Sequence, residues 1–300
     1  MTATGTVFDI GYQSYSGARE GRMRALTAVY KDGVRIALGL GRGPRAKALP
    51  WFFIAVLSMI GLVMAIIAGA ANTLGGDGTA EKMSLPTHSD YYGIASMILF
   101  VFASIVGPEL LCRDRREGTI SLYLVRPLTG ADYVAGRWLS FLSVLLLATW
   151  LPQTILFLGL CGGSPEPLKY FQSHWLDIPK FLAAGLVLSA FLTTIALLVA
   201  SFTTRRAYAA VFLVGLFLIT TPFTVGVAQG MQGTLAQWLS MFALSNIPLH
   251  ISDMIFAKPS ELTENNHARE LGRNVLILWY LAWITVMGAV IWFRYRRLTP

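Results

Sequence analysis

The densest group of ionisable side chains in this 300-residue sequence is the run Arg113, Asp114, Arg115, Arg116, Glu117, followed at once by Gly118 and Thr119. A short apolar stretch from Ile120 to Val125 comes next, and Pro127 terminates it. Thr129 then stands three residues before Asp132, the arrangement of a helix N-cap that approaches a capping box. Charges followed by a short bracketed helix can present a compact knob to a soluble partner. They can equally be a basic loop that only fixes topology, and composition does not separate the two. Other candidate chemistry is thinner. His88, His174, His250 and His267 fall in predicted outer loops, as do Met83, Met231, Met241 and Met254. Imidazole and thioether suit copper or zinc, but no pair has ligand spacing, so no metal site is expected. Thr193, Thr194, Thr220, Thr221 and Thr224 make two apolar stretches locally polar. Threonines in such places satisfy helix backbone or pack between helices, and lining a substrate path is their other use. Cys112 and Cys161 are predicted at opposite ends of their spans, too far apart to bridge. No G-x-x-x-x-G-K-[ST] loop occurs, so nothing here can cradle ATP phosphates and no catalytic residue or bound cofactor is expected.

These groups are carried on a chain that is 55% hydrophobic and only 13% charged. A soluble domain has about 25% charged residues, so this composition calls for lipid as the solvent. Six stretches reach the length of a bilayer crossing: Trp51–Ala71, Tyr91–Leu111, Trp138–Cys161, Phe181–Phe202, Ala207–Ala228 and Asn274–Phe293. Glu109 is the one charge inside them. Without water to satisfy backbone amides they must be helices, which makes the predicted fold an all-α integral membrane bundle of six transmembrane helices. Trp51, Tyr91, Tyr92, Trp138, Trp279 and Trp292 stand near the predicted interfaces, where amphipathic rings are favoured.

Lysine and arginine set the orientation. The leader carries Arg19, Arg22, Arg24, Lys31, Arg35, Arg42, Arg45 and Lys47. The predicted loop Arg113–Arg137 adds Arg126 to the cluster, the next turn on that side holds Arg205 and Arg206, and the tail holds Arg294, Arg296 and Arg297. Lys82, Lys169, Lys180, Lys258, Arg269 and Arg273 are all that the other side has. Both termini are therefore predicted to be cytoplasmic, and the net charge of +8 reads as an orientation signal and not as nucleic-acid binding. The basic leader contains no cleavable signal peptide, so the first span is expected to target the chain. Arg22–Leu40 repeats Met23, Leu26, Tyr30, Val34 and Ala37 at helical spacing between basic residues, the pattern of an interfacial helix on an anionic leaflet. Thr234–Phe256, entered through Gly230 and Gly233, contains Gln237, Ser240, Ser245, Asn246 and Pro248, a poor composition for a seventh crossing. It is predicted to be a re-entrant or interfacial segment on the outer side. The whole chain, 1–300, reads as one transmembrane domain, with 1–49 as cytoplasmic leader and 50–300 as the bundle.

The run Gly107-Pro108-Glu109-Leu110, then Arg113–Thr119, then Leu122–Pro127 and Gly136-Arg137, resembles the ABC-2 family of ABC transporter permeases, and Gly11–Arg22 looks like the leader of actinobacterial-type members. Asp114 stands where many members have Glu. The resemblance implies a coupling helix between the second and third spans that docks into an ATPase subunit. It assigns that role to Glu109, Arg113, Asp114, Arg115, Arg116, Glu117, Gly118, Thr119, Leu122, Leu124 and Pro127. It further implies two copies of a separate ATPase that hold ATP and Mg, a second permease subunit (this chain again or a relative), surrounding membrane lipid, and room for an accessory subunit. The expected activity is that of the permease of an ATP-driven exporter in the cytoplasmic membrane. An ion-coupled carrier or a membrane-embedded enzyme is the alternative, but those need ionisable groups at membrane depth, and Glu109 and Lys180 lie near span ends. A membrane anchor that regulates an ATPase is a third reading.

Overall fold

A computed structural model describes residues 21–41, 43–75, 88–120, 123, 128–231, 233–257 and 271–296, and among them every regular element is a helix. In chain order these are α1 (Arg22–Ala37), α2 (Pro44–Gly75), α3 (His88–Arg116), α4 (Gly130–Gly162), α5 (Pro167–His174), α6 (Asp177–Phe202), α7 (Arg206–Gln229), α8 (Thr234–Ser240), α9 (Asn246–Phe256) and α10 (Arg273–Arg296). Six of them, α2, α3, α4, α6, α7 and α10, are long and apolar enough to cross a membrane, and they contain the six stretches predicted from sequence.

The bundle has a centre and a periphery. In α3 and α6 67% of the apolar window is buried, against 22% in α7 and α10, so the first pair forms the core and the second pair its outer wall. α2 lies against α4 where Gly61, Ala65 and Gly69 meet Pro152, Gly159 and Gly163, small residues that let two backbones approach. Polar tips inside the bundle are spent on backbone carbonyls. The Tyr92 hydroxyl donates to Phe181 O at 2.6 Å, Tyr280 to Val187 O at 2.9 Å, and the Trp150 indole to Leu182 O at 3.1 Å. Shielded from water by packing, each such bond removes a penalty of several kcal/mol for a lone group.

The segment Thr234–Phe256 is a hairpin of two short helices, of 7 and 11 residues, each below the length of a crossing. α8 packs on α7, and α9 packs on α6, α10 and α3. At its turn, Met241 O accepts from the Trp279 indole at 2.9 Å, and the hydroxyls of Ser245 and Thr221 share a hydrogen bond.

α1 is helical as predicted, and one side of it packs on the bundle. Val29, Gly33, Ile36 and Ala37 are the buried residues, while Met23 is 74% exposed. The reason is close approach: a Cβ on Gly33 would lie 2.1 Å from Ser140 Oγ, so only glycine lets α1 sit on α4 at that point. The interval between α3 and α4 also differs from the predicted loop Arg113–Arg137. α3 continues through Arg116, and α4 begins at Gly130. Thr129 accepts from the Asp132 amide at 3.2 Å and Asp132 accepts from the Thr129 amide at 3.0 Å, a complete capping box that starts α4 well before Arg137.

Candidate functional site

The charged run folds as the end of a helix followed by its stop signal. Gly118 has φ +68°, a left-handed conformation that strains any residue with a Cβ. The Thr119 amide donates to Asp114 O at 3.0 Å, the six-to-one bond of a Schellman ending, and the Glu117 amide donates to Arg113 O at 2.9 Å. The spacing of acid, arginines, glycine and threonine is thus the spacing of one helix terminus.

That terminus divides the run into inward and outward sets. Asp114 and Arg115 point in. Arg115 donates to the carbonyls of Ser201 and, at 3.4 Å, Thr203, satisfying the orphan acceptors at the C-terminal end of α6 with a cation placed where the helix dipole favours one. Asp114 is 5% exposed and accepts from the Tyr133 hydroxyl at 2.6 Å and from Arg137 Nη2 at 2.5 Å. Arg137 has no exposed surface at all. Its Nη1 lies 2.8 Å from Asp32 Oδ2 of α1, an ion pair without in-line hydrogen-bond geometry. Its guanidinium also sits 5.8 Å from the Tyr123 ring centre and 5.5 Å from that of Tyr133. Burying an arginine costs several kcal/mol, and two carboxylates and two aromatic faces offset that cost here. Burial, and next the Asp114 carboxylate, push the Tyr123 hydroxyl above its ordinary range, so it stays protonated beside the cation. Tyr295 of α10 stacks on Tyr133 with ring centres 6.0 Å apart. One buried cluster therefore holds α1, α3, α4 and α10. A second contact fixes the start of α1: Arg22 donates to both Asp132 oxygens, at 2.9 and 2.7 Å.

Sequence reasoning placed Arg137 in a loop and missed this centre. The signal was present in the capping residues, since a helix that starts at Gly130 places Tyr133 and Arg137 on one face, one turn apart.

Arg113, Arg116 and Glu117 point out. Glu117 pairs with Arg113 at 3.3 Å and Arg116 at 3.7 Å, and Glu109 pairs with Arg206 of α7 at 3.4 Å. With Cys112 and Thr204 these five residues line an open polar notch of about 200 Å³ at the basic end of the bundle. Leu122, Leu124 and Pro127, the apolar part of the predicted coupling helix, lie outside the described residues.

Of the five threonines, Thr193 and Thr194 lie on α6, and Thr220, Thr221 and Thr224 on α7. Thr194 accepts from the Trp138 indole and donates to Ala190 O, Thr220 donates to Leu216 O, and Thr224 to Thr220 O. Thr221 binds the hairpin turn, and Thr193 is fully buried. Two histidines predicted in loops are packed inside helices: His250 is buried in α9, and His88 is buried at the start of α3. His88 hydrogen-bonds Gln153 at 2.6 Å and stacks on Phe181 and Phe256. His267 lies outside the described residues.

Six crossings, with the charged stop signal at the end of the second, are the arrangement to which known families can be compared. The family model described as ABC-2 family transporter protein matches residues 52–298, from the first crossing through the last. The chain belongs to the ABC-2 transporter family. No curated protein matches it. As an ABC-2 permease it is a multi-pass membrane protein with a transport role. The matched region begins after α1, so the clamp from Asp32 and Arg22 onto α4 joins an element outside the match to the ABC-2 bundle.

Proposed function

We propose that this ABC-2 permease is the membrane half of an ATP-driven exporter, and that a separate ATPase, present in two copies and holding ATP and Mg, docks at the basic end of the bundle. The observation that carries the reading is the outward half of the α3 terminus. Arg113, Arg116, Glu117 and Glu109, with Arg206 of α7, border an open notch, and the first three sit directly at the helix end that the buried Arg137 cluster anchors. An exposed charged rim on a rigid base is suited to orient a soluble partner, while the apolar Leu122 and Leu124 supply the buried anchors of the contact. In this reading both termini are cytoplasmic, the protein resides in the cytoplasmic membrane, and a second permease subunit completes the pore.

Purification of the tagged full chain from its native membranes tests this. The expected result is an ATPase with a phosphate-binding loop in near-equal amount, and nucleotide hydrolysis only in the co-purified complex. Recovery of the permease without any such ATPase, in detergents that keep it folded, would count against the assignment.

A further inference from the structure

On the outer wall of the bundle, α7 and α10 stand apart with α6 as the floor between them. The resulting groove has a volume of about 520 Å³ and an almost wholly apolar lining, in which Leu198 and Val199 form the floor, Leu216 and Met287 the walls, and Leu244 from the hairpin turn joins the lining. At the basic end the lining passes into Phe202, Thr203 and Tyr208. Each of those two rings carries a guanidinium. Arg294 lies 4.6 Å from the centre of the Phe202 ring, and Arg205 lies 5.4 Å from that of Tyr208 and donates to its hydroxyl at 3.1 Å. Among the described residues neither arginine is within ion-pair distance of a carboxylate.

We propose that this groove is a resident site for one anionic phospholipid of the leaflet at the basic end, with an acyl chain between α7 and α10 and its phosphate on Arg205 and Arg294. A neutral apolar occupant would leave the two cations unused, and an anion without a hydrocarbon chain would leave the groove empty. Only a molecule apolar along its length and negative at one end matches both. Basic pockets between spanning helices recognise lipid headgroups in this way. Aromatic faces hold the two guanidiniums at the mouth while their edges stay available as donors. The proposal rests on the chain being a membrane-spanning bundle and is independent of the ATPase reading, because its test needs no partner subunit.

The test is native mass spectrometry of the purified full chain with added phosphatidylglycerol or phosphatidylcholine of identical acyl chains. Each basic residue at a membrane surface is worth roughly fivefold in binding, so phosphatidylglycerol should be preferred by roughly 25-fold. The Arg205→Gln/Arg294→Gln variant should lose that preference, and Val199→Phe, which narrows the groove, should weaken both lipids. Arg35→Gln on α1 should change neither. Equal retention of the two lipids, or a preference that survives in the double variant, would overturn the proposal. So would a disulfide between two chains carrying Phe212→Cys, which would place a second copy in the groove.

Discussion

Arg137 Nη2 and Asp114 Oδ2 lie 2.5 Å apart, joining α4 to α3 across the basic end with both side chains closed off from solvent. Removing one member strands the other, at a cost of about 3–5 kcal/mol, whereas replacing both by apolar residues of similar size is close to neutral. Arg137→Met alone should therefore lower the thermal midpoint of the purified protein sharply. Asp114→Leu with Arg137→Met should restore most of it, and a double variant as unstable as the single would show that the pair is not the source of the loss.

Gly118 ends α3 in a conformation that L-residues adopt at a cost of roughly 1–2 kcal/mol. Gly118→Ala should lower stability by about that amount and reduce ATPase co-purification, while Gly118→Asn, which tolerates the left-handed region better, should do so less. Equal behaviour of Ala and Asn would mean that backbone strain is not what matters there.

The outward arginines are rim residues. Arg113→Gln and Arg116→Gln should each change assembly by less than about 1 kcal/mol, and the effect should shrink in high salt. Leu122→Asp should abolish co-purification, as a buried anchor worth about 2 kcal/mol or more would. Comparison of the three variants by pull-down at two salt concentrations decides which part of the surface carries the contact.

Gly33→Leu should displace α1 from α4, because the space above Gly33 is already filled by Ser140. The measurement is protease cleavage within the first forty residues of otherwise folded protein, expected to rise in the variant. Unchanged protection would place the restraint on α1 entirely in its ion pairs with Asp132 and Arg137.

Cysteines placed at Gly78 and Thr263 should react with a membrane-impermeant thiol reagent on intact cells, and one at Thr129 should not. The two native cysteines are buried, which keeps the background low. Labelling at Thr129 from outside would reverse the proposed orientation.

The crossings were legible because an uncharged stretch of bilayer length has few other uses, and the start of α4 was legible because Thr129 and Asp132 are local to each other. What was hidden depends on contacts between distant positions. An arginine near a span end reads as a topology signal, and only the fold reveals that Arg137 has Asp114 and Asp32 as partners. The packing of α1 on α4 was hidden for the same reason: the decisive contact is Gly33 on Ser140, which no hydrophobic stripe marks. The outward charges of the α3 terminus were singled out as a group, yet their separation from Asp114 and Arg115 follows from helix rotation against α6, which spacing alone does not give.

The hairpin of α8 and α9 has a mechanical consequence. Its first arm rests on α7 and its second on α10, and its turn is pinned to the first by Thr221 and to the second by Trp279. Two outer helices with little direct contact are thereby held at a set distance, as by a spreader bar. If they moved apart, those hydrogen bonds would break. If they moved together, Leu244 would be driven into the walls. Any working motion of this side of the protein must therefore take the hairpin along as part of a rigid unit or be stopped by it.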